Sequence, residues 1–466
     1  MRKPDSGFFP VALAALLFDE WRLPAHARLN VAYSGGLDSH VLLHALATLR
    51  ARHDFSLNAL HIDHGLQPAS ASWSEHCAGV CRALDIPCVT CRVTVSGIAD
   101  EGLEAAARRA RYAAFAELLE PGSYLLTAHQ RDDQAETVLL QLLRGAGVAG
   151  LAAMAERSQF GSGELLRPLL RTDRSALHAY ALEHRLDWIE DPSNSDLHLR
   201  RNFLRREILP RLAHHWPEAA SLLARSAQHA AEAQGLLDDL ARSDLEICRS
   251  PDPEQHPDGL SVSAVSGLSV SRQRNVLRKW LKDNGHRPPS ETHLNTLLEQ
   301  VRRPSRSRRA CVRWSGAEVW RYRDLLVAVP AQPGVDLQLD VTWDMRSVLD
   351  LPGIGQLRAE PARGRGFVPA RLDDILHVRL RQGGERCALP GRKHHHRLKK
   401  LLQAAGVPPW ERARLPLFYA GNALVAVADR WTCAPYAAGP DEEGLAIVWR
   451  PFTARRHADR NTENSC

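Results

Sequence analysis

The chain has 466 residues, 44% of them hydrophobic and 24% charged, and a formal net charge of +6. This is the composition of an ordinary globular protein of several domains and excludes disordered, collagenous and disulfide-stapled classes. The apolar run from Phe8 to Phe18 is short and carries Pro10, and no stretch reaches the roughly eighteen apolar residues of a membrane span, so the sequence reads as cytoplasmic, with no leader and no membrane partner.

In chain order, the apolar run Leu29–Tyr33 predicts a strand, Ser34-Gly35-Gly36-Leu37-Asp38-Ser39 a turn, and His40–Leu49 a helix. Adjacent glycines let a backbone turn tightly around an anion, and the first amides of the following helix are open donors at the positive end of its dipole. Ser34 and Ser39 add hydroxyls. Asp38 would repel a phosphate unless a cation lies between them, and Mg²⁺ held by few carboxylates plus phosphates meets that need. There is no G-x-x-x-x-G-K-[ST], so the loop is not the common lysine-bearing phosphate loop. The string resembles the PP-loop of ATP pyrophosphatases, which cleave ATP between the α- and β-phosphates.

Further strands are expected at Leu57–Ile62, Cys88–Val93 and Tyr124–Ala128, with helices at Ser72–Leu84 and Leu103–Leu119 between them. Such alternation predicts an α/β fold with a parallel sheet and a ligand beyond the strands' carboxyl ends. Polar clusters stand at those ends: Ser34–Ser39, then His61-Ile62-Asp63-His64, then His129 and the acids after it. On one helix, His129, Asp133 and Glu136 would share a face; Asp132 there suits the helix dipole. Arg108 and Arg111 also share a face and could meet a phosphate, or Arg108 could pair with Glu104.

The nine cysteines, an odd number, read as reduced thiols. Cys88 and Cys91 form a C-x-x-C, but on a strand residues three apart face opposite sides. Ala219–Ile247 and the basic stretch Arg272–Lys282 predict helices, and Cys311–Pro330 and Val335–Leu349 predict strands. A Gly/Pro/Arg-rich connector is expected over Pro361–Arg371, followed by strand His377–Arg381, helix Arg397–Ala405 and strands Leu417–Tyr419 and Ala423–Ala428. Basic clusters at Arg302–Arg309 and Arg392–Lys400 suit a nucleic-acid partner. His394-His395-His396 reads as loop, since a metal site needs further ligands.

Taken together, Ser34–Ser39, His61–Leu66, Glu104–Tyr112, Asp132–Thr137 running to Gly147, Glu190–Asn194 followed by Arg201–Arg205, and the distal Arg397–Lys400 and Val407–Trp410 resemble the tRNA(Ile)-lysidine synthetase family. The chain departs from that family's two histidines after the fourth strand, having His129-Gln130. The resemblance implies five parts: a PP-loop (adenine nucleotide α-hydrolase-like) catalytic domain over 1–215, a mostly helical tRNA-binding domain over 216–330, a strand-containing connector over 331–371, a small α/β tRNA-binding domain over 372–455, and a flexible tail over 456–466. It implies that ATP activates the wobble cytidine of a CAU-anticodon isoleucine tRNA as an adenylate, and that free L-lysine attacks C2 and expels AMP. In that scheme Ser34, Gly35, Gly36, Leu37, Asp38 and Ser39 hold phosphates, Asp38 with Mg²⁺. His61, Ile62 and Asp63 border the adenosine. Arg108, Arg111 and His129 stabilise charge or move a proton, and Asp133 and Glu136 bind or deprotonate the lysine amine. Asn194, Arg201 and Arg205 are available to tRNA or AMP, with Arg205 on the catalytic side. Arg272, Arg274, Arg278, Lys279, Arg397, Lys399 and Lys400 would grip the tRNA body. A homodimer stays open. The rival readings are a tRNA 2-thiolation enzyme, which wants exposed paired cysteines, a non-catalytic RNA-binding protein with a vestigial loop, and a small-molecule amidotransferase-type enzyme.

Overall fold

A computed structural model describes residues 8–66, 69–302, 311–331, 335–372, 375–391 and 394–451; the arginines at 303–309, Arg392 and the tail 456–466 lie outside them. The chain forms two compact units, Met1–Leu236 and Leu237–Cys466.

In the first unit, β1 (Ala27–Ala32), β2 (Phe55–Asp63), β3 (Cys88–Arg92), β4 (Tyr124–Leu126), β5 (Arg157–Phe160) and β6 (Gly163–Leu166) make one sheet in the order β3-β2-β1-β4-β6-β5. All neighbours run parallel except β5, which returns antiparallel on β6. The first four strands lie where the apolar runs put them. The β5–β6 hairpin was not anticipated: β5 alternates exposed and half-buried residues and carries little apolar signal.

Helices cover both faces, which is why the central strands are almost continuously apolar. The helix Leu37–Leu49 buries Val41, Leu42, Leu43, Ala45 and Leu46 completely, in one core with Leu29, Val31 and Leu57. The opposite face packs Leu60, Ile62, Leu125 and Leu165 against Ala114 and Phe115 of the helix Leu103–Leu118. After β1 the chain builds outward through β2 and β3, then crosses back to place β4 on the other side of β1. The crevice at that reversal is where open parallel sheets bind ligands.

The second unit begins within the helix Ala219–Ile247. A four-stranded antiparallel sheet, in the order Leu260–Ser261, Leu325–Pro330, Ala317–Tyr322, Cys311–Trp314, shares a core with the helices Val270–Asp283 and Glu291–Arg302. The basic helix expected to grip RNA uses its charges locally. Arg272 binds the fully buried Asp244 through Nε at 3.1 Å, Arg274 and Arg278 both reach Glu291, and Lys279 pairs with Asp283 one turn on. Arg397, Lys399 and Lys400, by contrast, are exposed.

The remainder is β-rich: a five-stranded and a three-stranded sheet with the seven-residue helix Leu398–Ala404. The expected connector departs from the reading. Its first residues complete the nine-residue strand Gly355–Arg363, which pairs along its whole length with Glu443–Pro451. Phe367 is fully buried in one core with Trp343, Leu357, Leu376 and Phe418. Proline and glycine suggested a linker, but Gly366 sits at a close backbone approach: a Cβ there would lie 2.1 Å from the Leu445 carbonyl oxygen. Phe367→Ala is therefore expected to destabilise this unit by about 3–5 kcal/mol, read as a lowered urea midpoint; a connector residue would leave the midpoint unmoved.

Candidate active site

A cleft of about 1240 Å³ opens at the carboxyl ends of β1, β2 and β4. Its walls carry Ser34, Gly36, Leu37, Asp38 and Ser39 from the glycine turn, His61, Ile62, Asp63 and His64 from the end of β2, Arg111 and Tyr112 from one flanking helix, and Thr127 and His129 after β4. Three strand ends that the sequence marked as polar thus meet in one crevice.

The glycine turn is built for an anion. Ser39 Oγ accepts from the Ser34 amide at 3.2 Å and donates to the Gly36 carbonyl at 3.0 Å, and the two hydroxyls lie 3.1 Å apart. Gly36 caps the helix and, having no side chain, leaves its first-turn amides unclaimed by the cap. Gly35 has φ +79°, and a Cβ there would come 2.6 Å from Ile189 Cδ1 and 2.9 Å from Cys77 Sγ; only glycine fits.

Asp38 is half-buried, and one of its carboxylate oxygens is buried with no hydrogen-bond partner among the described residues. Burial, then the charge of Asp133, pushes its carboxyl up to about 6. Among the described residues no three His, Cys, Asp or Glu side chains cluster to hold a metal by themselves. A free, cation-deficient carboxylate oxygen beside a phosphate loop nevertheless fits Mg²⁺, which takes one or two carboxylates and completes its shell with phosphates and water.

His129 does not share a helix face with the acids after it. The helix Arg131–Leu143 starts later, with Gln130 as its N-cap: the Gln130 side chain accepts from the Asp132 amide at 2.6 Å, and Asp133 Oδ2 accepts from the Gln130 amide at 3.0 Å. This reciprocal cap gives Gln130 a structural role that its position beside His129 did not suggest. His129 lies before the cap, its Nδ1 2.9 Å from Thr127 Oγ1. Burial holds its imidazole down to about 3, so it is neutral at ordinary pH.

Asp133 and Glu136 do not line the cleft. Arg201 Nε donates to Glu136 at 2.7 Å; Arg205 Nε donates to Glu136 at 2.6 Å, and its terminal amine reaches Asp133 at 2.9 Å. Glu136 is 0% exposed. Two carboxylates and two guanidiniums form a closed, charge-balanced cluster, of which only Arg205 also lines the cleft. Arg108, too, stays off the cleft wall: it lies 4.7 Å over the Tyr112 ring and bonds the phenol oxygen at 3.2 Å, in place of the expected partner Glu104. Arg111 reaches the cleft, and burial among Arg108 and Arg201 lowers its pKa.

His61 is buried, with Nδ1 3.0 Å from the Tyr33 carbonyl and Nε2 3.2 Å from Ser74; Asp63 accepts from the Gly65 amide at 2.8 Å. Asn194 lies on a short loop that Asn202 holds by donating to Ser193 and Asp196 carbonyls at 2.9 and 3.0 Å. Beside it opens a second chamber of about 550 Å³ lined by Arg174, Arg205 and Arg206. Sequence reasoning missed Arg174 and Arg206. Arg206 sits in the arginine run 200–206, which was a usable signal; Arg174 belongs to no motif. No cysteine lines the cleft among the described residues.

This fold and loop define a PP-loop nucleotide enzyme, and residues 12–212 match the family model described as the PP-loop domain. Residues 260–327 match the TilS substrate binding domain and 376–449 the TilS substrate C-terminal domain. The tRNA(Ile)-lysidine synthase of Coxiella burnetii is 41% identical over 92% of this chain and 94% of its own length. That of Alkalilimnicola ehrlichii is 45% identical over 88% and 91%, and that of Pseudomonas aeruginosa 44% over 91% and 93%. The chain belongs to the tRNA(Ile)-lysidine synthase family. Among solved structures it is similar to a U34-tRNA thiolase from Methanococcus maripaludis, at 16% identity over 48% of this chain and 79% of that one, with a TM-score of 0.42.

Removing Glu136 would leave Arg201 and Arg205 short of buried charge, so Glu136→Ala should cost the first unit about 3–5 kcal/mol, measured by denaturant unfolding. Asp38 carries the opposite sign. Its folded pKa of about 6 exceeds that of an unfolded aspartate, so its contribution to stability is present below about pH 4 and is lost as pH rises through about 6. Asp38→Asn should therefore raise stability at pH 8, by up to about 3 kcal/mol, and flatten the pH dependence of the melting temperature over that window.

Proposed function

We propose that this chain joins free L-lysine to C2 of the wobble cytidine of a CAU-anticodon isoleucine tRNA, forming lysidine with release of AMP and pyrophosphate from ATP. The observation that carries this reading is the convergence of an uncapped glycine-turn helix, the free carboxylate of Asp38 and a neutral His129 in one cleft, in a chain alike to tRNA(Ile)-lysidine synthases along most of its length.

The first-turn amides after Gly36, with Ser34 and Ser39, bind the phosphates that leave as pyrophosphate. Asp38 is the residue that would hold Mg²⁺, which when bound supplies neutralising charge on that leaving group. His61 to Asp63 border the nucleoside. Arg111 and Arg205, both on the cleft wall, meet charge that develops as the C2 oxygen is activated. His129, neutral and oriented by Thr127, donates or accepts one hydrogen bond at the reacting base; at a pKa of about 3 it is too weak a base to strip an ammonium at neutral pH. Asp133 and Glu136 enter as anchors of Arg201 and Arg205 rather than as partners of the amine. The catalytic work falls to the segment 1–215, and RNA contact to the later segments, chiefly through Arg397, Lys399 and Lys400, since Arg272, Arg274, Arg278 and Lys279 are ion-paired. Such contacts position RNA without reading bases.

The test is incorporation of labelled lysine into isoleucine-CAU tRNA, run beside tRNA-stimulated pyrophosphate release. Asp38→Ala should lower both by at least about 10²-fold, the scale of losing one preorganised charge partner, and retain tRNA binding. Pyrophosphate release without lysine incorporation would overturn the lysine assignment; no release at all would overturn the enzyme reading.

A further inference from the structure

The chemistry above uses no cysteine, yet two of them are arranged as a pair. Cys387 and Cys433 lie 46 residues apart in the chain with their sulfurs 2.7 Å from each other. Both are 1% exposed, packed with Leu401 and beside Leu389, Leu424, Trp431 and Tyr436. Their backbones run side by side, since the Ala434 amide donates to the Ala388 carbonyl, and neighbouring chains at that spacing set side chains within bridging range.

Cys387 belongs to the two-residue strand Arg386–Cys387, which among the described residues pairs with His396–Arg397. That hairpin runs directly into the helix bearing Lys399 and Lys400. Gly383, Gly384 and Gly391 take left-handed backbone conformations around it. A hairpin with two residue pairs is weakly held by its own hydrogen bonds, so opening it admits a small oxidant, and a covalent link at Cys387 would hold it shut.

We propose that Cys387 and Cys433 are a reversible oxidation site, closed to a disulfide by a hydroperoxide, which staples the hairpin to the segment at Cys433. The Cys387 thiolate attacks the peroxide oxygen, the O–O bond breaks, and the leaving oxygen departs as water or alcohol, leaving a sulfenic acid. Cys433 then attacks that sulfur and expels hydroxide, which leaves as water with the remaining proton. Two thiols lose two electrons and two protons in all, and the peroxide takes up both. Cys387 is the attacking sulfur because its hydrogen bond with Cys433 holds its thiol below the usual range, while the same bond pushes Cys433 up. The site is independent of the reading of the cleft.

The full chain, treated with hydrogen peroxide, alkylated and digested without reductant, should yield a peptide joining Cys387 to Cys433 that dithiothreitol separates. Cys433→Ser should yield no such peptide and should leave Cys387 trapped by dimedone as the sulfenic acid. In the oxidised wild-type chain, tryptic cleavage after Arg397, Lys399 and Lys400 should slow several-fold, with no slowing in Cys433→Ser. Both thiols alkylating after peroxide as they do before it, or Cys387 linking to another cysteine, would overturn the oxidation site. Unchanged cleavage in a chain shown to carry the disulfide would overturn the staple.

Discussion

Burying two carboxylates beside one another is prohibitive unless cations come with them, and that constraint organises the first unit. Asp133 and Glu136 sit on the helix after β4; their partners Arg201 and Arg205 arrive 65 to 72 residues later. Coulomb attraction in a dry environment makes the pairing strong, and the desolvation cost makes any half of it unstable. Satisfying the acids therefore draws the segment around 200–208 against the helix Arg131–Leu143. With it come Arg205 on the cleft wall and Asn202, which holds the loop bearing Asn194. A cluster that reaches the cleft through Arg205 alone thus shapes one side of its wall.

Across the cleft the logic is reversed. The glycine turn leaves amides open, and Asp38 keeps a buried oxygen without a partner. A polar group left without a partner is unfavourable until a ligand meets it. Stability is forgone where binding is needed, as is common at functional sites. His129 completes the pattern: burial disfavours the charged imidazole and keeps it neutral, with Arg167, Arg108 and Arg201 adding repulsion against the pull of Asp133. The cleft wall carries both signs, with Arg111, Arg174, Arg205 and Arg206 set against Asp38, Asp63, Glu104, Glu190 and Asp191.

Much of this was legible before any coordinates. The strands β1 to β4 announced themselves as apolar runs bounded by polar turns, and Gly36 of the glycine pair after β1 lies on the cleft wall. What failed did so for identifiable reasons. His129, Asp133 and Glu136 have helical spacing, but spacing says nothing of where a helix begins, and Gln130 caps it one residue too late for His129 to join. The proline and glycines near 361–371 look like a linker because their partner strand, Glu443–Pro451, is some eighty residues away. The ion pairs of Arg272, Arg274 and Arg278 were invisible because Asp244 and Glu291, their partners, lie on other helices.

Local chemistry thus needs only neighbours in the chain: Gly35 and Gly36 turn, the amides after them stay open, and the alternation of strand and helix forces a parallel sheet with its crevice at the carboxyl ends. The sequence alone determined the energy source and the place of the site. Only the tertiary structure decided which charges are available for chemistry. A charged side chain is free or paired according to what the fold brings within a few ångströms of it, and for Glu136, Arg272 and Arg205 that partner comes from a distant part of the chain.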